Sequence, residues 1–315
     1  MKALFDITHP LHVHLFKNTI MELESRGNEV LVMSREKEMT TDLLDYLNIR
    51  HIPISVKRGG MGLGFEWALR FIKSGQIVKK FDPDVMITRL NPVTVTYGSV
   101  FDIDTIVFDQ NEFENILSKY VFKLSDGVFM PDAVNNHLND GQKEYSGYHE
   151  LAYLHPNWFE PNTSILADHD VNYSEPYSVV RFVSWDAHQK IRKNTLSIDE
   201  KKEIVAELEK HGKVYISGET KDVFPSEDYE LPVPPHLLHQ LLFFADLHVS
   251  DSGTTPIESG ILGTPTICVS NEIAKNMGVF QELSNKYGLV LMSDGPDNCI
   301  NKINYIFSEH SREKW

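Results

Sequence analysis

Short runs of apolar, often β-branched residues alternate along the chain with longer segments whose apolar positions recur every three to four residues. The first apolar run covers 2–7, and 16–26 then places Phe16, Ile20 and Leu23 on one helical face before Gly27. Strand-length runs that alternate with helical segments are typical of βαβ units around a parallel sheet. The pattern therefore predicts an α/β protein built on parallel sheets.

The alternation forms two groups of predicted elements. The first group has strands at 2–7, 29–33, 84–88, 104–108 and 127–130, with helices at 16–26, 41–47 and 118–124. The second has strands at 178–183, 213–217, 247–249 and 266–269, with helices at 198–211, 235–245 and 255–262. Between them, 153–177 is rich in Pro, Asn, Asp and Ser, a composition typical of a linker. We expect domains at 1–155 and 175–300, and a C-terminal helix at 301–315 that packs back on the first domain.

Length and charge narrow the classes of function. The 315 residues suit two domains with a core each, and 30 Lys and Arg against 45 Asp and Glu give a formal charge of −15. This excess of acids disfavours a protein that binds long nucleic acids or is held on membranes by a polybasic surface. No apolar run approaches the roughly 18–20 residues of a membrane helix, and Asp6 interrupts the N-terminal run, unlike a signal peptide. We expect a cytoplasmic protein with no nucleic acid partner and no integral membrane segment.

Cysteines and glycines exclude two common kinds of site. Cys268 and Cys299 lack CxxC spacing, which disfavours a disulfide framework and a zinc cluster. Four glycines between 59 and 64 form a glycine-rich loop, but no strand leads into it and no GK[ST] follows, so it is not a P-loop. We expect a mobile loop near a cleft there.

Three histidines, His9, His12 and His14, follow the first predicted strand. Open α/β sheets bind ligands beyond the carboxyl ends of their strands, so residues in the loops after strands are candidates for chemistry. Imidazole titrates near neutral pH, which makes His12 a candidate general base toward an acceptor hydroxyl. Helix capping and a metal site are the alternatives, although no nearby Asp, Glu or Cys completes a set of ligands.

Carboxylates follow the predicted strand 104–108, at Asp109, Glu112 and Glu114. Bunched carboxylates can supply an acid and a base, because repulsion and burial push their pKa values apart. A solvated helix N-terminus, which favours acids, explains the same residues. We favour that second interpretation for Asp109 and keep Glu112 as a catalytic candidate.

The predicted strand 178–183 carries Arg181, and His188 lies just beyond it with Lys190, Arg192 and Lys193. An arginine inside an apolar strand is costly unless it is paired, and cations at a strand end suit a pyrophosphate. An ion pair with an aspartate explains Arg181 nearly as well. We take Arg181 as a substrate-binding candidate and His188 as a catalytic one.

The most informative pattern begins at His248 and runs HVSDSGTTPIESGILGTP. A strand leads into Ser252-Gly253-Thr254, and a helix then opens with Pro256 in its first turn. Backbone N–H groups and hydroxyls at such a turn bind anions, and Glu258, one turn further, can accept hydrogen bonds from a ribose diol. Capping alone explains Ser252 or Thr254 but not the whole arrangement.

The segment DSGTTPIESGILGTP resembles the DSGG-x-x-EE segment of UDP-N-acetylglucosamine 2-epimerases and the comparable segment of the N-acetylglucosaminyltransferase that completes lipid II. Together with MKALFDITHPLHVHLFKNTIMELESRGNEV, YSGYHELAYLHP and VVRFVSWDAH, it resembles the prokaryotic family called domain of unknown function 354 over nearly the whole chain. The resemblance implies a GT-B fold, with two Rossmann-like α/β domains that face each other across a cleft. No settled activity comes with that family.

The resemblance also implies roles in the second domain. Glu258 falls on the acid that holds the ribose hydroxyls in the epimerases, and Ser252 and Gly253 fall on their diphosphate contacts. His188 falls near the histidine of their HR-x-EN motif.

In the first domain, the resemblance is less complete. His12 falls where many GT-B transferases place a histidine facing the acceptor, and Glu112 and Glu114 lie close to the epimerases' cleft acids with altered spacing. The epimerases' GD pair is replaced by RLNP at 89–92, which removes a carboxylate expected to act on the sugar's C2 proton. Thr8-His9-Pro10 replaces the glycine-rich loop of the lipid II transferase, which puts a lipid-pyrophosphate acceptor in doubt.

We therefore expect a GT-B glycosyltransferase of glycan or polysaccharide biosynthesis that uses a nucleotide sugar, most simply a UDP-sugar, and a glycan or small-molecule acceptor. His12 is the expected base, Arg181 or His188 assists the diphosphate, and the nucleotide base lies near His236. No cofactor is implied, and no metal, because no DxD pair in a plausible cleft loop and no His/Cys cluster appears. The sequence leaves open whether the protein forms a homodimer. The alternatives are a 2-epimerase or hydrolase that uses Glu112, Glu114 and His188, and a non-catalytic nucleotide-sugar-binding protein.

Overall fold

The computed structural model describes residues 1–36, 39–56, 62–112, 115–134, 142–182, 196–217, 223–269 and 272–309. The chain divides into two compact units, Met1–Trp158 and Phe159–Trp315. The strands in the described ranges are β1 (Lys2–Ile7), β2 (Glu29–Glu36), β3 (His51–Val56), β4 (Val85–Thr88), β5 (Asp104–Phe108), β6 (Gly127–Pro131), β7 (Gln142–Tyr145), β8 (Tyr177–Arg181), β9 (Lys213–Ser217), β10 (Leu247–Ser250), β11 (Thr266–Val269) and β12 (Leu291–Ser293).

The helices in the same ranges are α1 (Pro10–Ser25), α2 (Thr40–Tyr46), α3 (Gly62–Phe81), α4 (Pro92–Phe101), α5 (Ile116–Leu124), α6 (Leu151–Leu154), α7 (Thr163–Ala167), α8 (Ile198–Glu209), α9 (Leu238–Phe244), α10 (Thr255–Ile261), α11 (Glu272–Lys275), α12 (Gly278–Gln281) and α13 (Pro296–Glu309). Short 3₁₀ turns occupy Glu227–Tyr229 and Pro235–Leu237, and a π turn occupies Glu282–Lys286. Among these helices, none has the length and apolar content to cross a membrane.

The first unit is built on a parallel seven-stranded sheet with the order β3-β2-β1-β4-β5-β6-β7. Side chains of β1 alternate between two cores: Phe5 packs with residues of α1, whereas Leu4 packs with Val78 of α3. Right-handed crossovers place α1 and α2 on one face of such a sheet and α3, α4 and α5 on the other. Because β1 is covered on both faces, its sequence is an almost continuous apolar run.

The second unit is built on a parallel five-stranded sheet with the order β12-β11-β10-β8-β9. Its core joins strand residues such as Val180 and Val249 to Ile204 of α8 and to Ile303 of α13. Cys268 and Cys299 are buried and unbridged, and burial raises the pKa of both thiols to about 12.

Several predicted bounds differ from the structure for local reasons. Helix α1 begins at Pro10 rather than near residue 16, because His9 caps it and Pro10 suits its first turn. The predicted helix at 235–245 begins as a 3₁₀ turn and becomes α-helical at Leu238. Residues 57–61, which hold Gly59 and Gly60 of the expected loop, lie outside the described residues, and Gly62 already belongs to α3.

The expected linker and C-terminal helix also have different roles. Within 153–177, Asn162 caps α7 and Leu166 is buried, so residues 159–174 form part of the second unit. The C-terminal helix starts at Pro296, and its described residues pack within the second unit, where His211 stacks on Phe307 with ring centroids 4.3 Å apart. Residues 310–315 lie outside the described part of the chain.

The order of each sheet reverses at one point. The reversal lies between β1 and β4 in the first sheet and between β8 and β10 in the second. In open parallel sheets, ligands bind outside the carboxyl ends of the two strands at such a switch point. The loops after these four strands are therefore where functional residues are expected.

Candidate functional site

The loop after β10 is fixed by a chain of hydroxyl groups. Ser250 Oγ donates to the carbonyl oxygen of Arg181 at 2.8 Å and accepts from the backbone N–H of Ser252 at 3.0 Å. Ser252 Oγ lies 2.9 Å from Ser250 Oγ and 2.8 Å from Thr255 Oγ1. These bonds hold Ser252 and Thr255 in the interior, whereas Gly253 is exposed and Thr254 half-buried. The loop thus presents its backbone at Gly253 and Thr254, where the first N–H groups of a helix have no intrahelical acceptor.

Neither the backbone conformation of Gly253 nor the space around it requires a glycine at this position. A Cβ atom added there meets no heavy atom within 4 Å, and its φ lies outside the left-handed region. By contrast, a Cβ on Gly260 of the same segment would lie 2.8 Å from Val290 Cγ2. Close packing therefore explains why residue 260 is a glycine, whereas it does not explain the glycine at 253.

Arg181 ends β8, and in the register of the sheet it lies opposite Ser250. Its Nη1 donates to Ser217 Oγ of β9 at 3.1 Å. Among the described residues its partner is thus a hydroxyl rather than the aspartate that we considered as the alternative. The guanidinium places positive charge at the switch point between β8 and β10.

Glu258 lies in the first turn of α10 and is buried. Its Oε1 is 3.1 Å from Nε2 of His239, which α9 supplies. We predicted Glu258 from the sequence, but not this histidine, because nothing local connects residue 239 to residue 258. This contact orients the Glu258 carboxylate.

His248 is buried in β10 just before this loop. Its Nδ1 donates to the carbonyl oxygen of Val179 at 2.8 Å, and Nε2 has no hydrogen-bond partner among the described residues. Burial lowers the pKa of His248 to about 4, and nearby Arg181 acts in the same direction. The imidazole is therefore neutral at physiological pH.

The remaining predicted residues of the second unit are only partly described. His236 lies half-buried on the 3₁₀ turn before α9, where burial and then His169 lower its pKa. His188 lies outside the described residues, as do the cations that follow it at 190, 192 and 193.

The three histidines after β1 take three different positions. His9 caps α1, and its Nδ1 accepts from the N–H of Leu11 at 3.2 Å. His14 stacks on Tyr153 with ring centroids 5.2 Å apart. His12 is half-buried in the first turn of α1, with Nδ1 3.4 Å from both N and Oγ1 of Thr8. The rings of His9 and His12 lie near each other at the loop after β1, with centroids 6.0 Å apart.

The acids after β5 are buried. Asp109 Oδ1 accepts from Arg89 Nη2 at 3.0 Å and from the N–H of Gln110 at 2.9 Å. The solvated helix terminus that we favoured for Asp109 is wrong, because the carboxylate lies in a buried ion pair. Glu112 is also buried, at 8% exposure, and Glu114 lies outside the described residues.

A second set of buried polar groups meets these acids and was not predicted. Gln110 Nε2 donates to Glu150 Oε1 at 2.9 Å, and Gln110 Oε1 accepts from the N–H of His149 at 3.3 Å. Burial, and then Arg89, hold the pKa of His149 well below its usual value, while burial raises the pKa of Tyr145, which stacks against it. The segment YSGYHE at 145–150 contains the polar residues in question. Because β7 shows no apolar alternation, the sequence did not reveal that this segment follows a strand.

Asp6, at the carboxyl end of β1, forms a third buried network. Its carboxylate accepts from Arg70, from Asn91 Nδ2 at 2.8 Å and from Thr94 Oγ1 at 2.7 Å. Asn91 belongs to the RLNP segment that replaces the epimerases' GD pair. These three donors hold the carboxylate in a fixed position at the end of β1. In the described part of the chain, no group of three or more His, Cys, Asp or Glu side chains is arranged to hold a metal ion.

Comparison with known proteins places this geometry in a family. A family model described as Protein of unknown function (DUF354) matches residues 1–315. The chain belongs to the DUF354 family. It is 24% identical over 306 residues to the uncharacterized protein MJ0665 of Methanocaldococcus jannaschii, covering 92% of this chain and 87% of that relative.

Solved structures with a similar fold are enzymes that act on sugars. The UDP-GlcNAc 2-epimerase of Neisseria meningitidis, bound to UDP-GlcNAc, matches this DUF354 chain with a TM-score of 0.71 at 13% identity, covering 98% of this chain and 92% of the epimerase. The spinosyn rhamnosyltransferase SpnG, complexed with spinosyn aglycone, matches with a TM-score of 0.63 at 12% identity, covering 98% of this chain and 92% of the transferase. These likenesses confirm the predicted GT-B class, an α/β protein of two Rossmann-like domains.

Proposed function

We propose that this protein is a GT-B enzyme that binds a nucleoside-diphosphate sugar on its second unit. The observation that carries the proposal is the switch point between β8 and β10. There the guanidinium of Arg181 and the backbone at Gly253 and Thr254 follow adjacent strands, whose ends are tied by the Ser250 bond to the Arg181 carbonyl. A cation beside helix N–H groups suits a diphosphate.

The remaining contacts follow from this placement. Glu258, oriented by His239, is proposed to accept the ribose hydroxyls, and the nucleotide base is proposed to lie near His236. Uridine diphosphate is the favoured nucleotide, because the similar epimerase structure is bound to UDP-GlcNAc.

For the reaction, we propose glycosyl transfer. His12 takes the proton of the acceptor hydroxyl, and Arg181 stabilises the negative charge on the departing diphosphate without a metal ion. The ion pairs of two buried acids in the first unit favour this reaction over proton abstraction from carbon by those acids. Asp6 and Asp109 each lie in a buried ion pair, so neither is placed to act as a base.

A 2-epimerase or hydrolase is the second candidate, and one observation favours it. Asp109, Glu112 and Glu150 bring three buried carboxyl groups to the carboxyl end of β5, and UDP-GlcNAc 2-epimerases are among the similar structures. In this alternative Glu112 transfers the proton, together with His188. A binding protein without catalysis is the third candidate.

Phosphorus NMR of the full chain with a panel of nucleotide sugars distinguishes the three candidates. Transfer releases a nucleoside diphosphate only when an acceptor is present, hydrolysis releases it from the sugar nucleotide alone, and epimerisation converts one sugar nucleotide into another. If every sugar nucleotide stays unchanged, with or without an acceptor extract, the remaining candidate is the binding protein without catalysis.

A further inference from the structure

One face of the first unit carries an unusual share of the exposed apolar side chains. Nineteen large hydrophobic residues are exposed in the described part of the chain, and nine of them lie on α3, α4 and α5. Their exposed fractions reach 57% at Ile72, 66% at Val100 and 89% at Ile116. Exposed apolar residues scattered singly are ordinary, whereas a contiguous patch marks an interaction surface.

The nine side chains lie on three helices that pack side by side, and we call their exposed surface the α3–α5 face. Its members are Phe65, Trp67, Phe71, Ile72, Val100, Phe101, Ile116, Leu117 and Tyr120. Tyr97 of α4 joins α4 to α3: its ring centroid is 4.7 Å from that of Phe71 on α3 and 5.8 Å from that of Phe101 on its own helix. Its neighbour Thr96 bonds Tyr120 across 2.8 Å, which extends the surface to α5.

The charges on the helices of this face differ in sign from those that follow the helices in the chain. The exposed charged residues of the three helices are five lysines, Lys73, Lys79, Lys80, Lys119 and Lys123. The acid within these helices is Glu66, which is buried against Arg35 at 2.6 Å, and Arg70 is buried against Asp6. Exposed acids follow the ends of all three helices, at Asp82 and Asp84, at Asp102 and Asp104, and at Asp126. In a chain with a formal charge of −15, the helices of this face thus expose lysines together with aromatic rings.

We infer that the α3–α5 face docks on a lipid bilayer with an anionic surface. Aromatic and aliphatic side chains partition into the headgroup boundary, and lysines around them are attracted to anionic lipids. A second copy of the chain is the less favourable occupant, because a two-fold contact would bring the same five lysines together. Docking is peripheral and does not depend on the proposed nucleotide site.

Vesicle co-sedimentation of the full chain tests the inference. The probes are vesicles of phosphatidylcholine with 30% phosphatidylglycerol and vesicles of phosphatidylcholine alone, at low salt. We expect sedimentation with the anionic vesicles, and weaker sedimentation at high salt because salt screens the lysines. No nucleotide is present, so failure here and failure of the proposed function are separate results.

Paired variants localise the binding. Ile72→Asp with Ile116→Asp should lower the partition coefficient at least about 100-fold, since each buried isoleucine contributes about tenfold. The matched control, Met21→Asp with Ile198→Asp, changes a mid-helix and a first-turn residue elsewhere, both exposed, at 44% and 39%, and should bind like the unchanged protein.

A charge pair gives an independent readout that leaves the apolar residues intact. Lys79→Glu with Lys123→Glu should reduce binding about 25-fold or more, at about fivefold per lysine, whereas Lys202→Glu with Lys210→Glu should not. If the variant with both isoleucines replaced fails to fold, the binding of this lysine variant tests the inference by itself.

Three results overturn the inference: absence of sedimentation with anionic vesicles, equal binding of the face and control variants, or a chain that self-associates in ultracentrifugation through Ile72 and Ile116 without vesicle binding. The last result would assign the face to a second copy of the chain.

Discussion

At the scale of single residues, His12 and Glu112 separate the proposed reactions. If His12 is the general base, His12→Ala should lower kcat by about 10² to 10⁴ and leave nucleotide affinity nearly intact. Turnover with a responsive sugar nucleotide and acceptor measures kcat, and His155→Ala, an exposed histidine, serves as the control. Unchanged turnover of His12→Ala beside an inactive Glu112→Gln would reject the transferase in favour of the epimerase or hydrolase.

Gly253 tests where the diphosphate lies. The open space above it accommodates a methyl group, so Gly253→Ala should leave the melting temperature nearly unchanged. A methyl group there would displace a phosphate, and the affinity for UDP should fall by about tenfold or more, or about 1.4 kcal/mol.

Gly295→Ala is the matched control for that substitution, because a Cβ there also meets nothing within 4 Å and φ is again outside the left-handed region. Calorimetric titration with UDP compares the two variants. Equal affinities for UDP would place the diphosphate elsewhere.

His248 makes the stability of the fold depend on pH. Its pKa of about 4 in the folded chain lies below the value of 6.5 in the unfolded chain, so between these values the unfolded chain binds more protons. The free energy of unfolding therefore decreases as pH falls from 6.5 to 4, by up to about 3 kcal/mol from this group. Urea unfolding at pH 7.5 and 4.5 measures the difference.

His248→Asn removes the titration and keeps a donor toward the Val179 carbonyl, so its stability should change less over the same pH interval. His155→Asn, at an exposed position, should behave like the unchanged chain. An identical pH dependence in His248→Asn would show that this imidazole does not remain neutral in the fold.

At the scale of elements, the Asp6–Arg70 pair anchors α3 to the end of β1, with α4 attached through Asn91 and Thr94. Arg70→Ala leaves a buried carboxylate without its counter-ion, and it should lower the free energy of unfolding by about 3–5 kcal/mol. Arg26→Ala, which breaks an exposed pair with Glu22 on α1, should cost less than about 1 kcal/mol. Similar urea midpoints for the two variants would contradict an anchoring role.

Helix α3 also shows why an element can be missed. Its 20 residues carry apolar side chains on both the core side, such as Val78, and the exposed side, such as Phe71 and Ile72. An amphipathic period is therefore indistinct, and the predicted elements skip from residue 47 to residue 84. The strands were easier, because β5, β9 and β11 are short apolar runs bounded by polar residues, and their predicted limits are confirmed.

At the scale of the whole molecule, binding of a nucleoside diphosphate should be visible as stability. A ligand that binds the folded chain alone stabilises it by mass action, about 2.7 kcal/mol at one hundred times its Kd. UDP should raise the melting temperature, and uridine, which lacks the diphosphate, should raise it much less. Absence of a shift with any nucleoside diphosphate at millimolar concentration would remove the sugar-nucleotide proposal.

The sequence by itself determined the features that depend on neighbouring residues. Parallel strands covered on both faces require apolar runs, and the strand, loop and helix around Ser252, Gly253 and Thr254 are contiguous, so their order follows from local pattern. This is why the α/β class and the candidate loop after β10 could be predicted.

Tertiary structure alone decided which distant side chains meet and which surfaces stay exposed. Asp6 meets Arg70 of α3 across 64 positions, and Gln110 meets Glu150 across 40, because the fold of the sheet brings together strand ends and helices that are distant in sequence. The composition likewise gives a formal net charge of −15, but it does not show where on the surface the charged residues lie. The lysines and aromatic rings of the α3–α5 face come together because three helices, separated in sequence by strands, pack side by side on one face of the sheet.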